Sequence, residues 1–302
     1  MARRGGVLGY NARMSLQYDL HSHSKASDGT LTAPELVQRA HAAGVDVLAL
    51  TDHDSLDGLA EARAAAAALP LHLIAGVEVS VTWKGQTVHV LGLNLNPDDA
   101  TLRAGLDSLQ AFRDWRAEEI GRRLDKAGIA DAYAGARRLA SGRIVSRTHF
   151  AHFLVEQGRA RSVREVFKKF LVNNKPGYVP GQWAALDETV AWIRGAGGDA
   201  VVAHPARYRL TGSKLRRLLT EFKEYGGVGM EVVSGSHTTE DMHRMAGVAR
   251  ALDLRASRGS DYHGPENPWV DLGRLPNLPE GCVPVWQAWD IPGAAQADRL
   301  PS

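Results

Sequence analysis

The first residues of this chain that could do chemistry are two histidines and an aspartate in one short stretch. His21 and His23 are two residues apart in YDLHSHSKASDG, and Asp28 lies five residues after the second histidine. Side chains two residues apart on extended backbone point the same way, so both imidazoles can reach one ion. Imidazole and carboxylate ligands suit borderline divalent metals such as zinc, manganese or iron. The stretch therefore predicts a metal-ligand loop.

Residues of the same types stand at or near the ends of five further apolar stretches. These stretches are VLALTDHD, IAGVEVS, TVHVLG, VVAHP and SRGSDYHG, and they carry His53, Glu78, His89, His204, Asp261 and His263. The carboxyl ends of the strands are where parallel α/β sheets and barrels assemble their sites. A lone histidine in a strand is more often a hydrogen-bonded core residue. Six imidazoles and several carboxylates would be expensive to bury together without cations, so we expect more than one metal ion here.

The elements that must position these residues follow a strand and helix rhythm over the first hundred residues. TAPELVQRAHAAG predicts a helix in which Thr32 is the N-cap, Pro34 lies in the first turn and Gly44 ends it. Buried strands that alternate with such helices indicate parallel βαβ units. Long helical patterns then replace the alternation, and short apolar strands return after about residue 195.

We therefore predict an α/β fold in which one barrel-like domain is interrupted by a helical insertion. The barrel is expected over residues 15–97 and 196–290, and the insertion over residues 98–195. Residues 1–14 are expected to be a disordered extension, with Met14 as an alternative start, and residues 291–302 a tail.

The composition is that of a soluble globular protein, because 44% of the 302 residues are hydrophobic and 23% are charged. No apolar run approaches the roughly 20 residues that span a bilayer, and MARRGGVLGYNAR lacks the apolar region of a signal peptide. The single cysteine, Cys282, excludes an internal disulfide and favours a reducing compartment. We expect a cytoplasmic protein with no membrane association and no obligate protein partner.

Basic residues are concentrated in one segment, although the net charge is only +2. Ten lysines and arginines lie from Arg137 to Lys175, against only Glu156 and Glu165. Such a segment is either a solvated helical face or a surface that attracts a polyanion such as a nucleotide or nucleic acid. Both interpretations stay open on charge alone.

The motifs HSHSKASDG, TDHD, GVEVS, HVLG, AHP and SDYH, in this order, resemble those of the PHP (polymerase and histidinol phosphatase) metallophosphoesterases. The resemblance covers the chain apart from its two ends, and it implies a distorted seven-stranded β/α barrel with up to three metal ions. By position, it implies a first metal held by His21, His23, Glu78 and Asp261. It implies a second metal held by Glu78, His89 and His204, and a third held by Asp28, His53 and His263.

Many members of that family have a histidine where Asp28 stands. A carboxylate there favours a harder ion, so manganese is the expected cofactor, with zinc or iron as alternatives. Two such ions can share a hydroxide for attack on phosphorus and can neutralise the phosphoryl charge. Asp261 or His263 is then the expected proton donor to the departing sugar oxygen.

Within that family, the insertion with SRTHFAHFLVEQG and NNKPGYVP is most similar to the bacterial branch that acts on nucleotides. The resemblance implies hydrolysis of the 3'-phosphate of nucleoside 3',5'-bisphosphates, such as pAp to AMP, and 5'-to-3' trimming of short 5'-phosphorylated RNA. One alternative is a phosphatase of small metabolites of the histidinol phosphate type, against which the basic insertion counts. Another is a non-catalytic, metal-dependent nucleic-acid-binding module, which would not need the full ligand set.

Several residues outside the ligand motifs are expected to contact substrate. Guanidinium groups match phosphate geometry, so Arg143 and Arg147 in SGRIVSRTHF are the predicted clamp for the second phosphate, with exposed surface charge as the alternative. The other expected substrate-binding residues are Ser141, His149, Lys175 and His237.

Four more residues are expected to support the site. Asp52 and Asp54 flank His53 and are expected to accept hydrogen bonds from ligating imidazoles. The seven tryptophans are expected to be mostly packing residues, with Trp83 and Trp183 as the candidates for stacking a base.

Overall fold

Seven strands form one sheet in the computed structural model, which describes residues 16–140, 142–267 and 269–292. The strands pair in chain order and are β1 (Tyr18–Asp19), β2 (Val47–Leu50), β3 (His72–Trp83), β4 (Gln86–Leu93), β5 (Asp199–Val202), β6 (Gly229–Ser234) and β7 (Arg255–Gly259). The sheet also closes back on itself, because Leu20 N–H donates to the carbonyl oxygen of Arg258 at 3.0 Å. This nearly closed barrel confirms the predicted fold class.

β4 departs from the expected parallel alternation. It runs antiparallel to β3 and β5, whereas the other neighbouring pairs are parallel. Lys84 and Gly85, both with positive φ, form the two-residue turn between β3 and β4. A turn this short makes a hairpin, since a parallel pair needs a long crossover. His89 therefore reaches the site from the first half of its strand and not from a carboxyl end.

Among the described residues, five helices pack around the barrel: α1 (Ala33–Ala42), α2 (Leu59–Ala66), α7 (Leu186–Gly195), α8 (Gly212–Glu224) and α9 (Thr239–Leu252). The predicted start of α1 is confirmed, because Thr32 accepts the N–H of Glu35 in a capping box with Pro34 in the first turn. α7 lies inside the range predicted for the insertion. Its buried side chains, Leu186, Val190 and Ile193, nevertheless belong to the barrel core.

The remaining helices lie between β4 and β5: α3 (Ala100–Lys126), α4 (Ala132–Leu139), α5 (Arg147–Glu156) and α6 (Val163–Val166), which continues into a π-helical turn, Phe167–Leu171. The long helix α3 joins two cores. Its first half buries Leu102 and Leu106 against the barrel, while Ile120 and Leu124 pack with Phe150 in a second cluster. The insertion is thereby fixed to the barrel by a continuous helix.

Ile291 is only 3% exposed and packs in the cluster that contains Tyr18 and Trp286, so the chain is still part of the core where the tail was expected to begin. The expectations for residues 1–14 and for the end of the tail lie outside the described residues. No helix in the described ranges is long and apolar enough to cross a membrane.

Candidate metal centre

Two histidines that follow β1, one carboxylate in β3 and one that follows β7 form a buried group. The Nε2 atoms of His21 and His23 are 3.0 Å apart. Each lies 3.2 to 3.4 Å from Glu78 Oε2 and Asp261 Oδ1. Backbone hydrogen bonds between the segments that follow β1 and β7 hold this arrangement. Asp261 N–H donates to His21 O, and His23 N–H donates to Tyr262 O, both at 2.9 Å.

Glu78, in the middle of β3, is the carboxylate that the ligand groups share. Its Oε1 lies 2.8 Å from His89 Nδ1 and 3.0 Å from His204 Nε2. Its Oε2 lies 3.0 Å from His53 Nδ1, and the side chain is 1% exposed. One carboxylate thus faces five imidazoles, those of His21, His23, His53, His89 and His204.

A third group forms around Asp28, in the loop after β1. Asp28 Oδ1 lies 3.4 Å from His263 Nε2 and 3.8 Å from His53 Nε2. His23 brings a further ligand atom close to these three. The structure thus brings together all nine residues that the resemblance implies as metal ligands, with His23, His53 and Glu78 each in two of the groups.

The charges of these side chains are strongly coupled. Burial raises the pKa of a carboxyl, but the nearby imidazoles outweigh it and hold the pKa well below its ordinary range at Asp28, Glu78 and Asp261. Burial lowers the pKa of His263, but Asp28 and Asp261 outweigh it and raise that pKa to about 10. At His53 and His204 burial prevails and the pKa is lowered.

Several ligand atoms of the site lie close together without forming hydrogen bonds to one another, an arrangement that suits divalent cations. Glu78 Oε2 and His53 Nδ1 face each other at 3.0 Å, yet neither makes a hydrogen bond within the described residues. Asp28 Oδ1 is a further buried oxygen without such a partner there. Buried lone pairs that converge in this way are stabilised by a cation, and imidazole with carboxylate is a donor set for zinc, manganese or iron.

The backbone of the site is strained at three places. Asp54, His204 and Asp261 have φ angles of 47°, 29° and 57°. Non-glycine residues in such conformations cost about 1–3 kcal/mol each and persist where surrounding contacts hold them, often at functional sites.

A cavity of about 450 Å³ opens over the ligand groups, with walls from both the barrel and the insertion. Its lining includes the arginines Arg113, Arg116, Arg147 and Arg207 and the aromatic residues Phe167, Tyr178 and Trp183. The barrel side therefore offers ligands for cations, and the insertion side offers cations for an anion.

Two of these arginines lack a carboxylate partner among the described residues. Arg116 donates to the carbonyl oxygen of Val179 at 2.8 Å, and the Arg147 guanidinium lies 5.6 Å from the ring centre of Phe167. Burial and the neighbouring guanidinium groups lower the pKa of Arg116 to about 9 and also lower the pKa of Arg147. Arg113 differs, since its Nε lies 2.6 Å from Asp54 Oδ2.

The family model described as PHP domain matches residues 19–177 of this chain. The chain belongs to the PHP family. A 3',5'-nucleoside bisphosphate phosphatase of Chromobacterium violaceum is 48% identical over 270 residues, which are 89% of this PHP chain and 95% of that protein. The 5'-3' exoribonuclease Rnm of Escherichia coli is 45% identical over 277 residues, which are 91% and 94% of the two chains.

Solved structures show the same fold along nearly the whole PHP chain. An amidohydrolase from Chromobacterium violaceum, with bound sulfate and no metal, has a TM-score of 0.85 at 47% identity, over 90% of this chain and 95% of that one. A proposed metal-dependent phosphoesterase from Bifidobacterium adolescentis has a TM-score of 0.73 at 27% identity, over 87% and 92% of the two chains.

The two arginines predicted to clamp phosphate lie in different places in the PHP structure. Arg147 lines the cavity. Arg143 points elsewhere, with Nη1 2.7 Å from Gln110 Oε1 and Nη2 3.2 Å from Asp114 Oδ2, and its side chain is 54% exposed. These contacts join the loop before α5 to α3, so the structure gives Arg143 a role in holding the insertion together.

The other predicted substrate residues are also outside the cavity wall or outside the described residues. His149 accepts the N–H of Ser146 at 2.9 Å and caps α5, and Lys175 is exposed in the loop before Tyr178. His237 is buried, where Nδ1–H donates to Val232 O and Nε2 accepts the N–H of Ala206. Ser141 lies outside the described residues.

The two aspartates expected to orient imidazoles hold loops instead. Asp52 accepts hydrogen bonds from Ser24 and Ser27 at 2.6 to 2.7 Å, which fixes the loop that carries Asp28. Asp54 accepts from the N–H of Ser80 at 2.6 Å as well as from Arg113.

The two tryptophans that are candidates for base stacking lie in different environments. Trp83 is 5% exposed and donates to Glu221 Oε2 at 2.7 Å, so it is a packing residue. Trp183 does line the cavity, with the guanidinium of Arg113 5.0 Å from its ring centre.

Three contributors were missed from the sequence. Arg113 and Arg116 stand three residues apart on α3, a spacing that puts both on one helix face and that could have been noticed. Glu231 is fully buried in the apolar strand β6, next to His21 and His204. A glutamate in such a strand is itself a signal, because a buried glutamate is almost always paired.

Proposed function

We propose that this PHP protein is a metal-dependent phosphoesterase that removes the 3'-phosphate from nucleoside 3',5'-bisphosphates and shortens 5'-phosphorylated RNA from its 5' end. One observation carries the proposal: a single cavity holds both a cluster of metal-type ligands and a set of arginines. A substrate with two phosphates fits this division. The names of the relatives from Chromobacterium violaceum and Escherichia coli describe the two activities.

Both reactions break the same bond. Water adds to phosphorus, the bond from phosphorus to the 3'-oxygen breaks, and that oxygen leaves with a proton on a nucleotide that keeps its 5'-phosphate. A bisphosphate yields a nucleoside 5'-monophosphate and inorganic phosphate. RNA yields the same monophosphate and a chain that is one nucleotide shorter and carries a new 5'-phosphate. One site therefore serves both substrates if it recognises the 5'-phosphate.

The nine residues His21, His23, Asp28, His53, Glu78, His89, His204, Asp261 and His263 would hold three divalent ions, with manganese as our first choice. Such ions supply Lewis acidity and a water of lowered pKa. The chain contributes the convergent ligands. The carboxylate of Asp28 supports manganese, because oxygen ligands favour a harder ion.

Arg116 and Arg147 would bind the 5'-phosphate. Both guanidinium groups line the cavity, and neither has a carboxylate partner among the described residues. Their lowered pKa values reflect burial and mutual repulsion, which a doubly charged phosphate would relieve. Arg113, already paired with Asp54, would hold the wall in place.

Asp261 would pass the proton from the attacking water to the departing oxygen. Its Oδ2 lies 3.1 Å from Arg207, which is 58% exposed and can be displaced by substrate. His263 fits this role less well, because its Nδ1–H is donated to Asp261 O at 2.8 Å and its Nε2 faces Asp28. His263 therefore has no N–H left for the substrate.

The deciding experiment offers three substrates to the purified protein in manganese chloride: adenosine 3',5'-bisphosphate, a 5'-phosphorylated oligoribonucleotide and histidinol phosphate. We expect phosphate release from the first and nucleoside 5'-monophosphate release from the second, each with kcat/KM far above that for histidinol phosphate. Preference for histidinol phosphate would replace this proposal with a metabolite phosphatase. Binding of RNA without turnover would replace it with a binding module.

A further inference from the structure

Trp269 is the most exposed large hydrophobic side chain in the described residues, at 91%. It lies in the loop after β7, six residues beyond His263. With Ser234, His237 and Arg274 it lines a groove of about 230 Å³. An indole that is open to solvent beside a groove is suited to stacking, because every nucleobase has a flat face that it can cover.

The groove adjoins the catalytic cavity through two consecutive residues. Ala206 N–H donates to Nε2 of His237, a groove residue, at 3.3 Å. Arg207, the next residue, lines the cavity and contacts Asp261. Since β5, β6 and β7 are parallel and both openings lie beyond their carboxyl ends, groove and cavity open at the same edge of the barrel.

The bond that breaks dictates where the rest of an RNA substrate must lie. The first nucleotide is the leaving group and occupies the arginine side of the cavity. The remaining chain is attached to the phosphoryl group, so it must leave from the ligand side. The most open residues on that side are Arg207, at 58%, and His263, at 35%. Arg207 directly follows Ala206, which contacts the groove residue His237. His263 lies six residues before Trp269 in the same loop.

The charge of the groove also suits RNA. Arg274 is 81% exposed and lies 3.7 Å from Asp271. Asp271 is already paired with Arg39 at 3.0 Å, so it does not neutralise Arg274 fully. Arg274, and Arg207 once substrate displaces it from Asp261, would offer guanidinium groups on the path from the scissile phosphate to Trp269, where the next backbone phosphate would lie.

We propose that this groove binds the nucleotide that follows the scissile phosphate in single-stranded RNA, with its base stacked on Trp269 and its backbone near Arg207 and Arg274. The inference rests on the proposed function and adds a second nucleotide subsite to it. Because any base can stack on an indole, this subsite would favour longer RNA substrates without selecting a base sequence.

The test compares two substrates in manganese chloride, adenosine 3',5'-bisphosphate and a 5'-phosphorylated tetra-adenylate. For each protein the measured quantity is kcat/KM for the tetranucleotide divided by kcat/KM for the bisphosphate. In Trp269→Ala we expect this ratio to fall about 5- to 150-fold, the effect of losing one base stack. Trp269→Phe should keep most of the ratio, because a phenyl ring also stacks.

The matched control is Tyr225→Ala, which removes another exposed aromatic side chain, 42% open, at the end of α8 near the start of β6 and therefore at the opposite end of the barrel. Its ratio should equal that of the unchanged protein. An unchanged ratio in Trp269→Ala, with both substrates still hydrolysed, overturns this inference alone. Absence of both activities in the unchanged protein overturns the proposed function as well. A dimer in sedimentation that Trp269→Ala converts to a monomer would assign the indole to a second copy and overturn the RNA subsite.

Discussion

Glu231 Oε1 lies 3.0 Å from His21 Nδ1, and the other oxygen of the same carboxylate accepts the backbone N–H of His204 at 2.6 Å. Glu231 is fully buried, with no lysine or arginine partner among the described residues. By accepting Nδ1–H it fixes the tautomer of His21, whose Nε2 then faces Glu78 and Asp261. By holding the N–H of His204 it supports that residue's positive φ. One side chain thus orients ligands of two groups.

Glu231→Gln should weaken metal binding while the protein stays folded. An amide can accept from only one of the two N–H groups, and its NH₂ would then oppose the other. Loss of such a partner behind a ligand typically weakens metal affinity about 10- to 100-fold. Titration of metal-free protein with manganese against a competing chelator would measure the change.

The control for Glu231→Gln is Glu221→Gln. Glu221 binds Trp83, Lys84 and Arg217 away from the site, so its loss should lower stability without changing metal affinity. Equal manganese affinity in Glu231→Gln and the unchanged protein would show that Glu231 does not orient the metal ligands.

Glu78→Gln should abolish hydrolysis of both substrates and lower the number of metal ions bound per chain. Glu78 faces five imidazoles, and no other described carboxylate contacts all of them. Elemental analysis and kcat would be measured on the same preparation, with circular dichroism to show that the fold is kept. Full activity with full metal content in this variant would refute the shared carboxylate.

Arg147→Ala should raise KM for adenosine 3',5'-bisphosphate far more than KM for an aryl monophosphate. Hydrogen bonds to charged groups contribute about 1.5–3 kcal/mol, which corresponds to roughly 10- to 150-fold in KM. An aryl monophosphate has no second phosphate to lose. Arg143→Ala is the matched control, because Arg143 pairs with Asp114 and should leave both KM values unchanged. Equal effects of Arg147→Ala on the two substrates would exclude its contact with the 5'-phosphate.

The sequence predicts the ligand set partly from local spacing and mostly from the order of its motifs. His21 and His23 are paired by strand geometry, and the motif order implied the other seven residues. The structure brings these residues together because each lies on or beside one of six barrel strands, which converge by topology. His89 lies close to Glu78 although its strand runs in the unexpected direction, because the hairpin pairs His89 with Ser80, which shares a face of β3 with Glu78.

Residues that depend on the docking of the insertion could not be placed from sequence. Arg143 and Arg147 are four residues apart and looked equivalent, yet the start of α5 at Arg147 turns one toward the cavity and leaves the other against α3. Arg116 enters the site only because α3 crosses from the barrel core to the second core. Such placement follows from the packing of distant side chains, which no local pattern encodes.

The pH dependence of the metal-free protein provides a test of the Asp28–His263 contact. Burial lowers the pKa of His263, but Asp28 outweighs it and raises that pKa from 6.5 to about 10. A group with a higher pKa in the folded state stabilises that state fully below its unfolded value and loses this contribution as pH rises through the folded value. The metal-free protein should therefore lose stability between pH 6.5 and 10.

Thermal unfolding in the presence of a chelator would measure this loss as a fall in Tm across that range. Metal-free His263→Gln lacks the titrating group, so its Tm should fall less steeply and the difference between the two proteins isolates His263 from lysines and tyrosines. With manganese bound, His263 must be neutral to act as a ligand, so the slope that depends on this residue should disappear. A difference in Tm between the metal-free proteins that stays constant from pH 6.5 to 10 would show that Asp28 does not hold a proton on His263.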